Sequence, residues 1–543
     1  MTDPGRVHDD PPPVVARLSE FVDWYATRTP NAEAAVCGDV RVTYAELRQR
    51  VDATARALLR AGVQRGDRVA TLSPPNIDFW VTFLATVSIG GIWLGLNPRY
   101  RVDELSYVVG DAEPIVLFAR TQVGTRRYDD EIEAMRRAAP AIARVVALDA
   151  PRGGGAAGEH HVSDAPHAYE SMDAFVASGA GLPDETLAAA RRAGEGREAC
   201  LLVYTSGSTG RPKGALLHHA GIVAFSLAQN RIWPLRRQRF LNYLPINHVG
   251  CVIDLSVPTL AAGGCLVFLE QFSPDGALAL TVQERVNCLG SVPTVFQMQL
   301  ALPDFDAYDL SGIELIIWEG AAMPIEVIER LRAICPRLAT NYGMTETTSA
   351  ITIVEPTDDL DVLANTVGRA FPGVEIRLVG EDGHVVAPGQ PGEVQARSLY
   401  NLLGYWRRPE ATAAAFTSDG FFRTGDVAVQ RADGRYRLVG RLKEMYKSGG
   451  YNVYPREVED VIHSHPDVIM AAVVPRPDPL WDEVGVAFVV ARPTLTADAL
   501  ADHCRARLAN YKLPKAFVLC PDLPLLPIGK IDKVALTRRA AEL

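Results

Sequence analysis

Between residues 40 and 120, segments whose apolar residues recur with a helical period alternate with short runs of β-branched and aliphatic residues. Residues 43–61 carry a helical pattern, 68–72 a strand pattern, 78–87 and 92–96 a buried helix and strand, 101–109 a helix and 114–118 a strand. A helix between two strands is a crossover, and crossovers join strands that run the same way. The alternation therefore confines this part of the chain to the α/β class with a largely parallel sheet. The pattern resumes at 200–204 and runs to about residue 375, then shortens into β-rich pieces at 375–379, 392–396, 427–430 and 436–439. After Gly440-Arg441-Leu442-Lys443 it changes again. Pro455 opens a helix with Val458, Val461 and Ile462 on one face, strands follow at 468–474 and 484–490, and Leu500, Cys504 and Leu508 mark a last helix. At 543 residues the chain is long enough for several domains. The expectation is a large α/β N-terminal domain of several subdomains over 1–440, with parallel-type sheets and a β-rich piece. A boundary at 441–443 and a small α/β domain over 444–543 complete it.

One segment competes with this reading. Residues 79–96 hold no charge over a length at the threshold for a membrane-spanning helix. Gly90-Gly91 interrupts it, however, and Pro98 follows, so a buried helix and a buried strand are favoured. The acidic, proline-rich N-terminus has no apolar core of the signal-peptide kind. The eight cysteines are scattered without a CxxC pair or metal-ligand spacing, which suits small apolar residues in a reducing compartment, and a cytoplasmic location is expected. A net charge of -10 without a Lys/Arg run argues against a nucleic-acid partner. The Gly/Ala/His-rich stretch 150–170 is expected to be an exposed connection.

The strand at 200–204 leads into Thr205-Ser206-Gly207-Ser208-Thr209-Gly210-Arg211-Pro212-Lys213-Gly214. Glycines let backbone N–H groups converge on phosphate oxygens, hydroxyls add neutral donors, and Lys213 adds a charged one. A flexible polar turn is the bland alternative, but so many small and hydroxyl residues followed by Pro-Lys-Gly directly after an apolar strand favour a phosphate grip. It is not a Walker A loop, because Gly214 follows Lys213 where a magnesium-holding Ser or Thr would stand. No GxSxG elbow occurs, which removes the usual α/β-hydrolase reading.

This loop resembles that of the ANL adenylating superfamily, in particular its AMP-forming acyl-CoA synthetase branch. The resemblance continues in order through Leu244-Pro245-Ile246-Asn247-His248, Glu319-Gly320-Ala321-Ala322, Asn341-Tyr342-Gly343-Met344-Thr345-Glu346, Arg423-Thr424-Gly425-Asp426, Gly440-Arg441-Leu442-Lys443, Ser448-Gly449-Gly450-Tyr451-Asn452 and Pro527-Ile528-Gly529-Lys530. It implies that Thr205, Ser206, Gly207, Ser208, Thr209, Gly210 and Lys213 grip phosphate, and that Asn341, Tyr342 and Gly343, with the wall Gly320, Ala321 and Ala322, receive the adenine. Asp426 and Arg441 would take the ribose, Thr345 the α-phosphate and Glu346 the Mg²⁺. His248 would gate the passage to the pantetheine tunnel, and Lys530 would bridge the attacking carboxylate and the α-phosphate. Lys443 stands at the hinge position, so the small C-terminal domain is expected to be mobile. Its rotation would bring Ser448, Gly449 and Gly450 to the CoA tunnel.

The implied activity is that of an acid–CoA ligase using ATP, Mg²⁺ and CoA on a small-molecule carboxylic acid. A stand-alone adenylation enzyme loading a carrier protein, or one specialised for the thioester-forming half-reaction, is the alternative within the same chemistry, and a non-catalytic nucleotide sensor lies outside it. A homodimer is compatible with either. Three residues depart from the family pattern: Asn247 where Phe is common, Glu444 where Asp is usual after the hinge, and Glu319 where a small residue is usual. Glu319, buried beside the acyl pocket, should have a partner. With Val249, Cys251, Asp254 and Trp318 it is expected to line a pocket for a hydrophobic acid, fatty, alicyclic or polycyclic.

Overall fold

A computed structural model describes residues 15–149, 169–205, 211–235, 237–525 and 531–543. Most of the expected connection at 150–170 lies outside these residues, as do Ser206–Gly210 of the phosphate loop and Lys530.

Two large sheets form the N-terminal part. The eight-stranded sheet has a parallel interior that includes Arg68–Leu72, Ile92–Leu96 and Val116–Ala119, all from the alternating region. Ala199–Thr205 joins it parallel to Ile92–Leu96, and Lys213–His218 then folds back antiparallel, with Thr205 opposite Lys213. The phosphate loop thus joins two antiparallel strands, and Lys213 opens the second of them. In the nine-stranded sheet, Arg239–Asn242, Cys288–Ser291, Leu315–Trp318 and Leu338–Gly343 run parallel. Their carboxyl ends point to one edge, the place where open α/β sheets collect ligands.

The doubtful apolar run is split as expected. Helix Ile77–Ser88 is capped by Asn76, whose side chain accepts from Phe79 N, and strand Ile92–Leu96 is wholly buried. Phe79, Trp80, Phe83 and Trp93 are each at most 1% exposed and pack ring against ring, Phe83 with Trp93 at 5.3 Å and Phe79 with Phe268 at 5.5 Å. Burying each such side chain is worth about 1.5–3 kcal/mol, which explains the hydrophobicity without a bilayer. Among the described residues no helix is long and apolar enough to cross a membrane.

The β-rich piece is a four-stranded antiparallel sheet of Glu375–Val379, Pro391–Arg397, Phe422–Gln430 and Tyr436–Arg441. Beyond it, Tyr446–Ser448, Tyr451–Val453, Val468–Asp478, Asp482–Ala491 and Ala516–Leu519 form a five-stranded sheet. Its two hydrophobic clusters draw only on residues between Tyr446 and Ala540, so this unit has a core of its own. Helix Pro455–His463 buries Val458 and Ile462. Helix Ala497–Arg505 stops short of Leu508, although Leu508 N still bonds to Cys504 O, so the apolar stripe outlasts the helix by one turn. The eight cysteines are all free thiols, six of them buried.

Candidate functional site

Thr205, Tyr342, Thr345 and Glu346 lie at the carboxyl ends of strands of the two large sheets, whereas Asp426 and Arg441 come from the four-stranded sheet and Lys443, Ser448, Gly449 and Gly450 lie beyond it. Thr205 ends its strand, and its hydroxyl donates to Glu346 Oε1 at 3.2 Å. Glu346 lies in the short 3₁₀ turn Thr345–Thr347 beyond Leu338–Gly343. The same oxygen accepts from the Tyr405 hydroxyl at 3.0 Å, and the Lys213 ammonium lies 5.4 Å from the centre of the Tyr405 ring. Burial, then the neighbouring Glu346 charge, pushes the Tyr405 phenol far above its ordinary value, so it remains a donor. With both donors on Oε1, the carboxylate is oriented, and among the described residues no hydrogen-bond donor falls on Oε2. One carboxylate beside phosphate oxygens is the donor set that suits Mg²⁺, which keeps much of its water. Tyr405 lies far from the signature words in sequence, in a Gly-Tyr-Trp stretch that the motif reading passed over.

The turn at Thr345 is tightly built. A Cβ on Gly343 would sit 1.6 Å from Ser349 O, so only glycine allows the two backbones to meet there. Thr348 adopts φ +66°, unusual for a β-branched residue, and its hydroxyl donates to Tyr400 O. Such strain, held by surrounding bonds, is a feature of functional turns. Thr345 itself is buried.

Tyr342 and Asp426 meet from different sheets. The Tyr342 hydroxyl donates to Asp426 Oδ2 at 2.8 Å, while Arg441 Nε holds Asp426 Oδ1 at 2.9 Å. Asp426 and Arg441 are direct partners in their antiparallel ladder. Gly320, Ala321 and Ala322 are exposed after strand Leu315–Trp318, in keeping with an open wall.

His248 follows Pro245, whose carbonyl accepts from His248 N at 3.1 Å. Gly250 N donates to His248 Nδ1 at 3.1 Å, which in the neutral ring leaves the proton on Nε2. Asn247 Nδ2 donates to the Tyr100 hydroxyl at 2.9 Å, giving this departure from the family pattern a partner on another segment. Then comes a π-helical turn, Gly250–Ser256, a form rare outside functional sites. Two buried amides hold its loosened carbonyls: Asn242 donates to Cys251 O at 3.0 Å and Gln229 to Asp254 O at 2.9 Å.

The acyl-pocket residues divide. Cys251 is wholly buried, with Sγ 3.4 Å from Asn242 Nδ2, Val249 packs in the main core, and Trp318 is 1% exposed in the core of the nine-stranded sheet. Glu319 and Asp254 instead face one another. Trp318 pairs with Thr340, so Glu319 and Asn341 are the next neighbours, and Asn341 Nδ2 donates to Glu319 Oε1 at 3.0 Å. Burial first, and then the Asp254 charge, pushes the Glu319 carboxyl well above the usual range. Burial raises Asp254 to about 6, restrained by hydrogen bonds with Ser349 and Glu319. Burial and mutual repulsion thus both oppose charging the two carboxyl groups together. Asn341, expected at the adenine, is engaged with this pair.

In the small domain, Gly449 (φ +58°) and Gly450 (φ +84°) form the two-residue turn between Tyr446–Ser448 and Tyr451–Val453. Positive φ at both centres is the demand of a type I′ hairpin, so the glycines have a structural reason independent of any ligand approach. Ser448 is buried and pairs with Asp482. Lys443 is exposed in the turn Leu442–Glu444, and Glu444 Oε2 binds Lys533 Nζ at 2.8 Å.

Comparison with known proteins matches residues 22–406 to the family model described as AMP-binding enzyme and residues 457–530 to the AMP-binding enzyme C-terminal domain. A feruloyl-CoA synthase from Amycolatopsis is 35% identical over 95% of this chain and 97% of its own length. An indoleacetate–CoA ligase from Aromatoleum aromaticum is 34% identical over 95% and 96%. Among solved structures, ATP-bound MatB from Rhodopseudomonas palustris superposes with a TM-score of 0.80 at 29% identity, covering 97% of this chain and 99% of its own.

Proposed function

The chain belongs to the AMP-binding enzymes of the ANL superfamily and is an enzyme of the AMP-forming acid–CoA ligase family, and from that premise we propose that it activates a hydrophobic carboxylic acid of the fatty, alicyclic or polycyclic kind. In the first half-reaction a carboxylate oxygen attacks the α-phosphorus of ATP, the bond to the pyrophosphate leaving group breaks, and acyl-AMP forms. In the second, the CoA sulfur attacks the acyl carbonyl, AMP departs, and the thiol proton passes to solvent.

The observation that carries the reading is the hold of four residues on Asp426 and Glu346: Tyr342 and Arg441 orient a buried acid fit to accept two ribose hydroxyls, and Thr205 and Tyr405 orient a second acid toward phosphate. Glu346 would hold Mg²⁺, which when bound neutralises phosphate charge. Thr345 and Lys213, with Ser206–Gly210, would bind phosphate oxygens, and Lys530 would stabilise the charge that grows between carboxylate and α-phosphate. Gly320–Ala322 and Tyr342 would take the adenine. His248, with its proton on Nε2, would stand between nucleotide and pantetheine.

We assign 1–440 to the large domain, 441–443 to the hinge and 444–543 to the small domain. The independent core of the latter supports that division, and Lys443 would serve as pivot for a rotation that exchanges Lys530 for Ser448–Gly450. A ring-bearing acid is favoured by the relatives named for feruloyl and indoleacetate substrates. The test is a panel of fatty, alicyclic, polycyclic and aryl acids, each assayed for pyrophosphate release and for CoA thioester. Release of pyrophosphate and thioester with a hydrophobic acid supports the reading, and turnover confined to very small acids overturns it.

A further inference from the structure

Glu319 and Asp254 bring four carboxyl oxygens together where the family pattern has a small residue. The strand end at Trp318 supplies one acid and the π-helical turn the other, so the contact depends on both elements. Donors are few. Asn341 serves Glu319 Oε1, Ser349 serves Asp254, and no arginine or lysine pairs with either carboxyl group among the described residues. Asp254 is 3% exposed, and its Oδ1 has no hydrogen-bond partner among the described residues. Gln229, also 3% exposed, spends its amide N–H on Asp254 O and leaves its own Oε1 without a partner. Buried acceptors in native proteins rarely remain unsatisfied, and a concentration of them marks a place completed by something else.

These acceptors lie close to His248: a Cβ on Gly250 would come within 3.2 Å of His248 Nδ1 and 3.9 Å of Asp254 Oδ2, so the histidine and the acid flank the same glycine, and only a residue without a side chain fits between them. As a residue Glu319 is partly exposed, between buried Trp318 and open Gly320, while its carboxyl group is buried against Asp254.

We propose that Glu319 and Asp254 form a recognition site for a hydrogen-bond donor, a hydroxyl or a primary amine, carried by the acid substrate away from its carboxylate. The proposal deepens the acid-activating reading above and rests on it. A donor group on the substrate supplies the partner that Asp254 Oδ1 lacks among the described residues. An acid with only hydrogen at that position leaves the acceptors unanswered, and a site built to hydrogen-bond a group discriminates strongly against the analogue that lacks it.

The test uses matched alicyclic and aryl acids carrying hydrogen, hydroxyl or amine at the position remote from the carboxylate. Two readouts are taken on the full chain: kcat/KM for acid-dependent pyrophosphate release, and binding of the same acids by calorimetry with a non-hydrolysable ATP analogue. The wild type should prefer a donor-bearing acid by about 10-fold to 100-fold in both. Glu319→Leu should reduce that preference to about unity or reverse it, and Glu319→Gln, an isostere still able to accept, should retain part of it. Thermal unfolding of each variant separates misfolding from lost recognition, with Glu319→Gln decisive if Glu319→Leu fails to fold. Better retention of the amine than of the hydroxyl assigns the donor as a cation, and the reverse assigns a neutral donor. Donor preference in binding without pyrophosphate release would sustain this proposal and overturn the activating reading. Equal binding of donor-bearing and unsubstituted acids, no binding of any donor-bearing acid, or a preference untouched by both variants would overturn the proposal and leave the pair satisfied by water alone.

Discussion

The Tyr342 hydroxyl is bonded to Asp426 Oδ2 at 2.8 Å, although the two residues lie on strands of different sheets. Asp426 is 4% exposed, and its other oxygen is held by Arg441, so the carboxylate has little freedom to turn. Tyr342→Phe would keep the aromatic face and remove one donor from a buried charge. The expected cost is about 1–3 kcal/mol in stability or nucleotide binding. It should be seen as a KM for ATP raised about 10-fold with a smaller change in kcat. A variant with unchanged KM would remove Asp426 from the ribose role.

Tyr405 tests the orientation of Glu346 in a similar way. Tyr405→Phe preserves the ring beside Lys213 and leaves Thr205 as the remaining hydroxyl on Glu346 Oε1. Loss of a group that orients a metal-binding carboxylate typically costs 10-fold to 100-fold in metal affinity or activity. The half-saturating Mg²⁺ concentration for ATP–pyrophosphate exchange should rise about 10-fold at fixed ATP. An unaltered Mg²⁺ dependence would leave Tyr405 a purely structural residue.

The raised carboxyl groups of Glu319 and Asp254 predict how stability changes with pH. In the unfolded chain these acids titrate near their ordinary values, about 4.3 and 3.9. In the folded protein both are raised, Asp254 to about 6 and Glu319 well above the usual range. Folded protein thus binds more protons than unfolded chain across that window. The stabilising contribution is complete below the unfolded values and is lost as pH rises through the folded ones. Glu319→Gln keeps an acceptor for Asn341 and presents a permanent donor to Asp254. Its melting temperature should gain on the wild type by about 2 °C between pH 6 and pH 8. A constant difference across that range would show that neither carboxyl group is raised by folding.

Much of this arrangement is legible in the sequence, for reasons that differ by residue. Strands such as Arg68–Leu72, Ile92–Leu96 and Val116–Ala119 are recognisable because a buried strand needs a compact apolar or β-branched run and little else. The π-helical turn at Gly250–Ser256 is not recognisable, since its stability comes from Asn242 and Gln229, distant amides that reach the loosened carbonyls only after folding. The role of Gly449-Gly450 is ambiguous in sequence, because a tight hairpin and a ligand's approach ask for the same residue. Glu319 stands out as a charge at a position that favours small residues, but its partner Asp254 is 65 residues away and meets it only through the nine-stranded sheet. Tyr405 lacks such a signal, as its function is defined wholly by what it touches.

Lys530 immediately precedes Ile531 in sequence and lies outside the described residues. Lys533, three residues on, is fixed: its ammonium lies 2.8 Å from Glu444 and 2.9 Å from Glu459, joining helix Lys533–Ala541 to the turn Leu442–Glu444. These two cations should therefore fail in different ways. Lys530→Ala removes a charge needed only while the carboxylate attacks the α-phosphate. Acyl-AMP formation should fall by about 10²-fold or more, and conversion of supplied acyl-AMP to thioester should stay within a few-fold of wild type. Lys533→Ala leaves two acids of the small domain without their shared partner and should lower both half-reactions together, with a lower melting temperature. Equal loss of both half-reactions in Lys530→Ala, at unchanged stability, would end the assignment of that lysine to the first step and with it the alternation of the small domain.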